Sequence, residues 1–565
     1  MRKTKMYLGA AVICAGILAC TACGDGKSGS DNDTTAETTK KATEEKTTKK
    51  KTSKDEEETT VDLSTVEYGN EATDDDTKAL LETLLGENSS ADKIIYDLNF
   101  PLVYNKLMTS YYVLEGDAVD SKGKINTELS DSQDVVVAVE SNSNITYFKF
   151  TILSKSEAAP AKIDNIAENL LHNTDNVRGN ITLLEKAGEN DEIDIKWSCD
   201  RTDLITLTAT GENGKIPAGV VTRGEKDEQV TLTATLTSGD YTTTKDFTLT
   251  IKAKPEEKEY SAYLYTYFRG NIYGNGESQH IHMATSEDGF YWTALNENEP
   301  ILKAELGTKG VRDSYLVRSP EGDHFYLIGT DLDANGGDWA SYGGNGSRYI
   351  RIWESDDLIN WSEERLILIA PENAACMWAP ETTYDETTGE YVVYWATGLK
   401  GGDGKKIWYA KTRDFYTFTE PVIYKDTEAG TTFIDTSMIE YQGTYYRFTK
   451  NENELSILLE TSDAVLGDFS LVKTQIAGET GVEGPAIYKI NGEEKWVLYM
   501  DGYTGKNAGV GYFPLIANSL EDLKNANFVR MEKGTYQMPE GAKHGSFVPI
   551  TKEEYDALME KWGNK

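Results

Sequence analysis

Between residues 260 and 565 one strand-rich unit returns five times, and its last copy is split between the two ends of that stretch. The unit opens with an apolar strand that carries an unusual residue at its start: VRDSYLVRS, MWAPETTYD, FIDTSMIEY, VEGPAIYKI and KHGSFVPIT. An aromatic strand follows: DHFYLIGTDL, GEYVVYWATGL, GTYYRFTKNE and EKWVLYMDGY. After KHGSFVPIT no such strand follows, but a match, SAYLYTYFRGN, stands at the beginning of the stretch. A third element also recurs five times: ATSEDGFYWT, WESDDLINWS, AKTRDFYTFT, LETSDAVLGDF and ANSLEDLKNANF. Repeated units of this kind bury their apolar faces only against one another. A last copy assembled from both ends closes the array and removes its open edges. The expected fold is therefore all-β, with a closed five-bladed β-propeller over 260–565; a large sandwich gives no reason for a split copy.

The rest of the 565 residues must hold further domains. Arg2, Lys3 and Lys5 followed by MYLGAAVICAGILA read as an export signal over 1–23, too short and wrongly flanked for a mature membrane span. Its end, ILACTACGDG, resembles the lipobox of bacterial lipoproteins, with Cys20 or Cys23 as the lipidated residue. That resemblance implies a lipid anchor and a protein on the outer face of the membrane. Residues 24–60 have almost no large apolar side chain, so they cannot offset the entropy of ordering, and a disordered tether is expected. Two segments, 61–155 and 156–255, each show a short helix pattern followed by alternating strands, the signature of a small Ig-like sandwich. The second, with IKWSCD, GVVTRG and VTLTATLTSG, resembles the atrophied bacterial Ig-like domains found beside secreted glycosidases; the first does so more weakly. Neither carries a catalytic cluster, which leaves a spacer or carbohydrate-contacting role.

Charge narrows the ligand class. Fifty-seven Lys and Arg against 94 Asp and Glu give a net charge of −37, which disfavours nucleic acid and anionic membrane as partners. Past the signal only Cys199 and Cys376 remain, in different domains, so no disulfide framework is expected. His280 and His282 alternate along one strand; without a third ligand, one is expected packed and the other exposed. The Gly-rich loop DANGGDWASYGGNGS lacks the lysine of a phosphate loop and reads as a cover over the site, with Trp339 and Tyr342 free to stack on a sugar.

In a propeller the first strands of the units surround the axis, so residues at matching points converge. Aligned by their turns, the five strands bring Asp313, Trp378, Asp435, Glu483 and His544 to one end. Three carboxylates in one place suit acid–base hydrolysis, because mutual repulsion keeps one protonated while another stays ionised. Arg312, beside the first of them, is a further candidate for substrate contact.

The order VRDS, MWAPE, FIDTS, VEGPAIYK, KHGS over about 260–565 is similar to glycoside hydrolase family 43. That resemblance implies an inverting five-bladed propeller acting mostly on α-L-arabinofuranosides and β-D-xylosides. It assigns Asp313 as general base, Asp435 as the residue that orients and tunes the acid, and Glu483 as general acid. Trp378 then lines the sugar subsite, and His544 matches an axial His that in many members lies by a bound calcium or water; no cofactor is required. Ser314 stands where proline usually follows the base, which keeps Asp331 and Asp333 as reserve candidates.

The resulting expectation is an exo-acting, inverting glycosidase on plant polysaccharide such as arabinan, arabinoxylan or arabinogalactan, with α-L-arabinofuranosidase leading. β-Xylosidase, β-galactofuranosidase and endo-arabinanase share the fold and stay open, as does a glycan-binding propeller without turnover. Retaining fructan hydrolases carry Asn-Asp-Pro-Asn and Glu-Cys motifs that this chain lacks.

Overall fold

The computed structural model describes residues 66–563 except 105–106, 143, 189–190, 271–275, 403 and 427–429, together with Leu63 and the short strand Met6–Leu8. Cys20, Cys23 and the tether of 24–60 lie outside the described residues. The chain forms two compact units that divide between Leu153 and Ser154.

In the first unit, helix Asp75–Leu85 starts where the Asp74 carboxylate accepts the Thr77 N–H at 2.8 Å, an N-cap that satisfies an otherwise orphaned donor. One antiparallel sheet follows, ordered Val103–Tyr104, Leu107–Glu115, Gln133–Ser141, Asn144–Ile152. Leu84 of the helix and Val135, Val137, Phe148 and Phe150 of the sheet share a core. The Ig-like segment of the second unit repeats this plan: helix Lys155–Glu168 lies on a four-stranded sheet ending in the long hairpin Glu228–Ser238 and Tyr241–Ile251. In both, one sheet packs against helix and irregular chain rather than against a second sheet. Residues 204–221, where a second ladder would have to form, supply only the isolated bridges Ile205–Val221 and Thr210–Ile216.

The remainder folds as five antiparallel sheets of four or more strands. Their innermost strands are β1 (Val311–Arg318), β2 (Trp378–Asp385), β3 (Phe433–Tyr441), β4 (Val482–Lys489) and β5 (Ala542–Thr551). Each packs against the next, and β5 packs against β1, so the five make a closed ring. The split copy comes together: Tyr260–Arg269, from the start of the stretch, pairs antiparallel with β5.

The third repeated element is a hydrogen-bonded turn. In three sheets a hydroxyl accepts the N–H three residues on (Ser286 from Gly289, Ser355 from Leu358, Thr412 from Phe415, each at 2.9 Å). Two residues after each hydroxyl an aspartate, Asp288, Asp357 or Asp414, accepts the next two N–H groups. Such local side-chain bonds compete with strand continuation and end it. Much of the aromatic content fills the space between sheets: Tyr263, Tyr265, Trp292, Tyr488, Tyr499 and Phe547 form one buried cluster at the seam.

The Ig-like segment docks on the turns that leave inner strands at Ser319–His324 and Asp385–Gly389 and on the turn Arg413–Tyr416 that leaves the strand Lys405–Thr412, the end away from Arg312 and Asp313. Arg413 donates to the Ala218 and Pro217 carbonyls at 2.6 and 3.2 Å. Asp323 accepts from Arg178 at 2.6 Å and from Arg223 at 2.5 Å, and the Arg223 side chain is only 1% exposed. Removing one member of a buried ion network leaves uncompensated charge. Asp323→Ala is therefore expected to lower the stability of this unit by about 3 kcal/mol in urea unfolding; an unchanged midpoint would show that the docking contributes nothing.

Candidate active site

The site grows from one backbone device used four times. β1, β2, β3 and β4 each lose register with the neighbouring strand near their start, between Arg312 and Tyr315, Trp378 and Glu381, Ile434 and Thr436, and Glu483 and Ala486. In each break one residue is left-handed: Asp313 (φ 52°), Ala379 (φ 47°), Asp435 (φ 46°) and Gly484 (φ 55°). Three of these are not glycine, and such backbone costs about 1 kcal/mol or more apiece. The bulge re-aims a side chain toward the axis. The matching points are thus Asp313, Ala379, Asp435 and Gly484, with Arg312, Trp378, Ile434 and Glu483 one step before. Alignment by turns, which equates Trp378 and Glu483 with Asp313 and Asp435, differs from this register by one residue in β2 and β4. In β5 the break falls between Ala542 and Gly545 and contains His544. A Cβ on Gly484 would lie 2.7 Å from His544 Cγ, so glycine is required there for space as well as for its φ.

His544 stands under the centre of the site. Its Nδ1 is 3.2 Å from Asp313 Oδ1, and its Nε2 is 3.8 Å from Glu381 Oε1. Burial disfavours the imidazolium, but the two carboxylates outweigh it and hold its pKa well above the ordinary value. Burial likewise pushes Asp313 up, yet the hydrogen bond and charge of His544, with Arg312 nearby, hold that carboxyl below the usual range. Thr330 Oγ1 donates to Asp313 Oδ2 at 3.0 Å and accepts the Ala379 N–H at 2.8 Å, tying two bulges together.

The other carboxylates behave differently. Asp435 accepts the Gly484 N–H at 3.0 Å; burial, with Asp313 adding to it, raises its pKa. Glu483 is pushed up to about 8 by burial, then by Asp435 and Asp501. Glu381 is pushed up to about 7 by burial against the opposing charge of His544. One site thus holds a carboxylate that stays ionised and another that keeps its proton near neutral pH.

Arg312, Asp313, Trp339, Trp378, Asp435 and Glu483 all line one open cavity of about 1160 Å³. Arg312 lies over Phe268 at 4.1 Å and against Trp339 at 5.2 Å. Trp378 meets the Trp339 ring edge-on at 6.3 Å, with Lys405 Nζ 4.3 Å from its face. Trp339 is half exposed on the short helix Trp339–Gly344. The reserve candidates stand elsewhere. Asp331 is buried, paired with Arg351 at 2.5 Å and bonded by Ser347 and Thr308, while Asp333 caps a turn at Asn335. The alternating histidines also depart from expectation, since both are buried: His280 accepts the Ala304 N–H, and His282 lies between the Asn298 and Glu277 carbonyls. His544 fits a protonated ring between carboxylates better than a cation ligand, and no cluster of three metal-ligating side chains occurs among the described residues.

Glu381 stands on β2 itself but is not singled out by the turn alignment, and Thr330, Lys450 and Asp501 escape a reading of the inner strands alone. Three sit on second strands, each opposite the residue that precedes a left-handed position: Thr330 faces Arg312, Lys450 faces Ile434, Asp501 faces Glu483. Their signal lies in the aromatic repeats, where GTDL, FTKN and YMDG place polar residues at the same step.

Carboxylates held in opposite protonation states at the mouth of an all-β ring are the equipment of a glycoside hydrolase. Residues 258–556 match the family model described as "Probable glycosyl hydrolase domain", related to glycoside hydrolase family 43, and the chain belongs to that family. Residues 161–254 match the atrophied bacterial Ig domain. An α-L-arabinofuranosidase of Bifidobacterium longum subsp. longum is 33% identical over 306 residues, which is 48% of this chain and 28% of that protein. The chain therefore spans little more than a quarter of that relative. Among solved structures, a GH43 β-1,3-galactosidase aligns with TM-score 0.35 and 13% identity over 47% of this chain and 57% of its own. An exo-β-1,3-galactanase from Phanerochaete chrysosporium aligns with TM-score 0.31 and 15% identity over 43% and 53%. Likeness at that level carries no inference about substrate.

Thr330 offers a direct check on the geometry. Thr330→Val keeps the shape but leaves the buried Ala379 N–H without its acceptor, which is expected to cost about 1–3 kcal/mol in urea unfolding; no loss would mean that this bridge does not hold the bulges.

Proposed function

We propose that the chain is an inverting exo-glycosidase on a five-bladed β-propeller, releasing terminal α-L-arabinofuranosyl residues from plant polysaccharide. The observation that carries this reading is the split between Asp313, held ionised, and Glu483, held protonated, in one cavity. Asp313 takes a proton from water as its oxygen attacks the anomeric carbon. Glu483 gives its proton to the departing glycosidic oxygen, and Asp435 orients and tunes that acid. No cofactor enters these steps. Arg312, Trp339 and Trp378 hold the sugars. The name of the Bifidobacterium relative supports the choice of arabinofuranose over xylose or galactofuranose. The cavity is larger than the roughly 300–1,000 Å³ of ordinary small-ligand sites, which supports room for further sugars beyond the terminal one. Arabinan, arabinoxylan and arabinogalactan side chains meet these requirements. We place the protein outside the cell, tethered through lipid on Cys20 or Cys23.

Among 4-nitrophenyl glycosides the α-L-arabinofuranoside is expected to be cleaved fastest, with β-arabinose appearing first in a proton NMR time course. Initial α-arabinose would overturn inversion, and binding without any release of sugar would overturn catalysis. Glu483→Gln is expected to abolish cleavage of natural arabinosides, whose alkoxide needs a proton to leave, while sparing much of the activity on a dinitrophenyl arabinoside. Equal loss on both substrates would remove Glu483 as the acid.

A further inference from the structure

Beside Glu483 stands a carboxylate to which no role has been given. Asp501 lies directly across from Glu483, on the strand Trp496–Gly502 that pairs with β4, and both line the cavity. Asp501 is buried, and its two oxygens face Lys543 Nζ at 3.1 and 3.0 Å. Lys543 comes from β5, and its backbone carbonyl accepts the Tyr265 hydroxyl, so the seam strand fixes its place. Burial raises the Asp501 pKa above its ordinary value, and Lys543, then His544 and Arg312, oppose that rise; without Lys543 the carboxylate takes up a proton more readily.

We propose that Asp501, kept ionised by Lys543, is a second positioning residue that holds the proton on Glu483. The inference rests on the reading of Glu483 as the acid. The charges around Glu483 come from four directions. Asp435 arrives from β3, Asp501 from the paired strand, Lys450 from the strand beside β3 with Glu452 in the turn after it, and Arg312 from β1. Tyr503 also faces Glu483 and receives a hydrogen bond with Lys450 at 3.0 Å. Lys450 and Arg312 draw the proton off, and burial, Asp435, Asp501 and Glu452 work against them. Around Asp501 the groups are Lys543, His544, Arg312 and the hydroxyls of Tyr265 and Tyr512. The Asp501 charge repels an ionised Glu483 and thereby favours its protonated form.

The direction follows from the acid's requirement. Activity on a natural arabinoside needs protonated Glu483, so kcat/KM falls as pH rises through the acid's pKa, near 8. Removing the Asp501 charge lowers that pKa, and the basic limb of the profile moves to lower pH. Lys543→Met lets Asp501 become neutral and should act in the same direction, while Lys543→Arg preserves the charge. For full-length protein, Asp501→Asn and Lys543→Met are each expected to move the basic limb down by about one unit, with Lys543→Arg near wild type. Rates on the dinitrophenyl arabinoside, which needs no acid, should change little. A basic limb that stays in place in both Asp501→Asn and Lys543→Met overturns the proposal, as does an equal loss on the dinitrophenyl substrate. If Glu483→Gln itself keeps its activity on natural arabinosides, the assignment of the acid fails and this inference falls with it. If Glu483→Gln behaves as expected while the limb does not move, only the role of Asp501 and Lys543 is lost.

Discussion

Everything at the site hangs on one antiparallel ladder, the pairing of Tyr260–Arg269 with β5. Without that strand β5 would stand in the ring with an unpaired edge. The same ladder delivers His544 to the axis, because the register break that contains it lies between these two strands. Thr266 and Ser546 share a hydroxyl contact at 3.1 Å across the seam, and Ser546 accepts the Leu316 N–H of β1 at 2.7 Å. Closure, the position of His544 and the protonation of Asp313 are thus one problem solved once.

The charge pattern follows from that closure. An imidazolium between Asp313 and Glu381 would be costly if left unpaired in the interior, and two carboxylates without it would repel each other. Together they settle Asp313 as the ionised group, while burial raises the pKa of Asp435 and of Glu483. Burial is the largest influence on every one of these groups, so the chemistry depends on exclusion of water by the packed inner strands as much as on the charges themselves.

Much of this is legible in the chain, and for definite reasons. Alternation along VRDSYLVRS or GTYYRFTKNE, and turns such as SEDG and TRDF, are local patterns that report strands and their ends directly. The convergence of Asp313, Asp435 and Glu483 on one cavity follows from repetition, since equivalent strands occupy equivalent places. The one-residue offset does not, because which residue of a bulge turns left-handed is set by register against the neighbouring strand, and Asp313, Ala379 and Asp435 carry no glycine to mark it. Nor does the pairing of Glu483 with Asp501, which depends on register between strands. His282 could not be placed either: its burial is decided by the carbonyls of Glu277 and Asn298, which come from other segments.

Gly484 has a consequence of its own. It is covalently next to Glu483, its N–H is bonded to Asp435, its carbonyl accepts the Tyr512 hydroxyl at 2.9 Å, and its missing side chain makes way for His544, the partner of Asp313. The smallest residue in the site is therefore a common hinge pin for all three carboxylates. A methyl group there would disturb Glu483, Asp435 and Asp313 in a single stroke, so faults in this site arrive together and are not repaired one at a time.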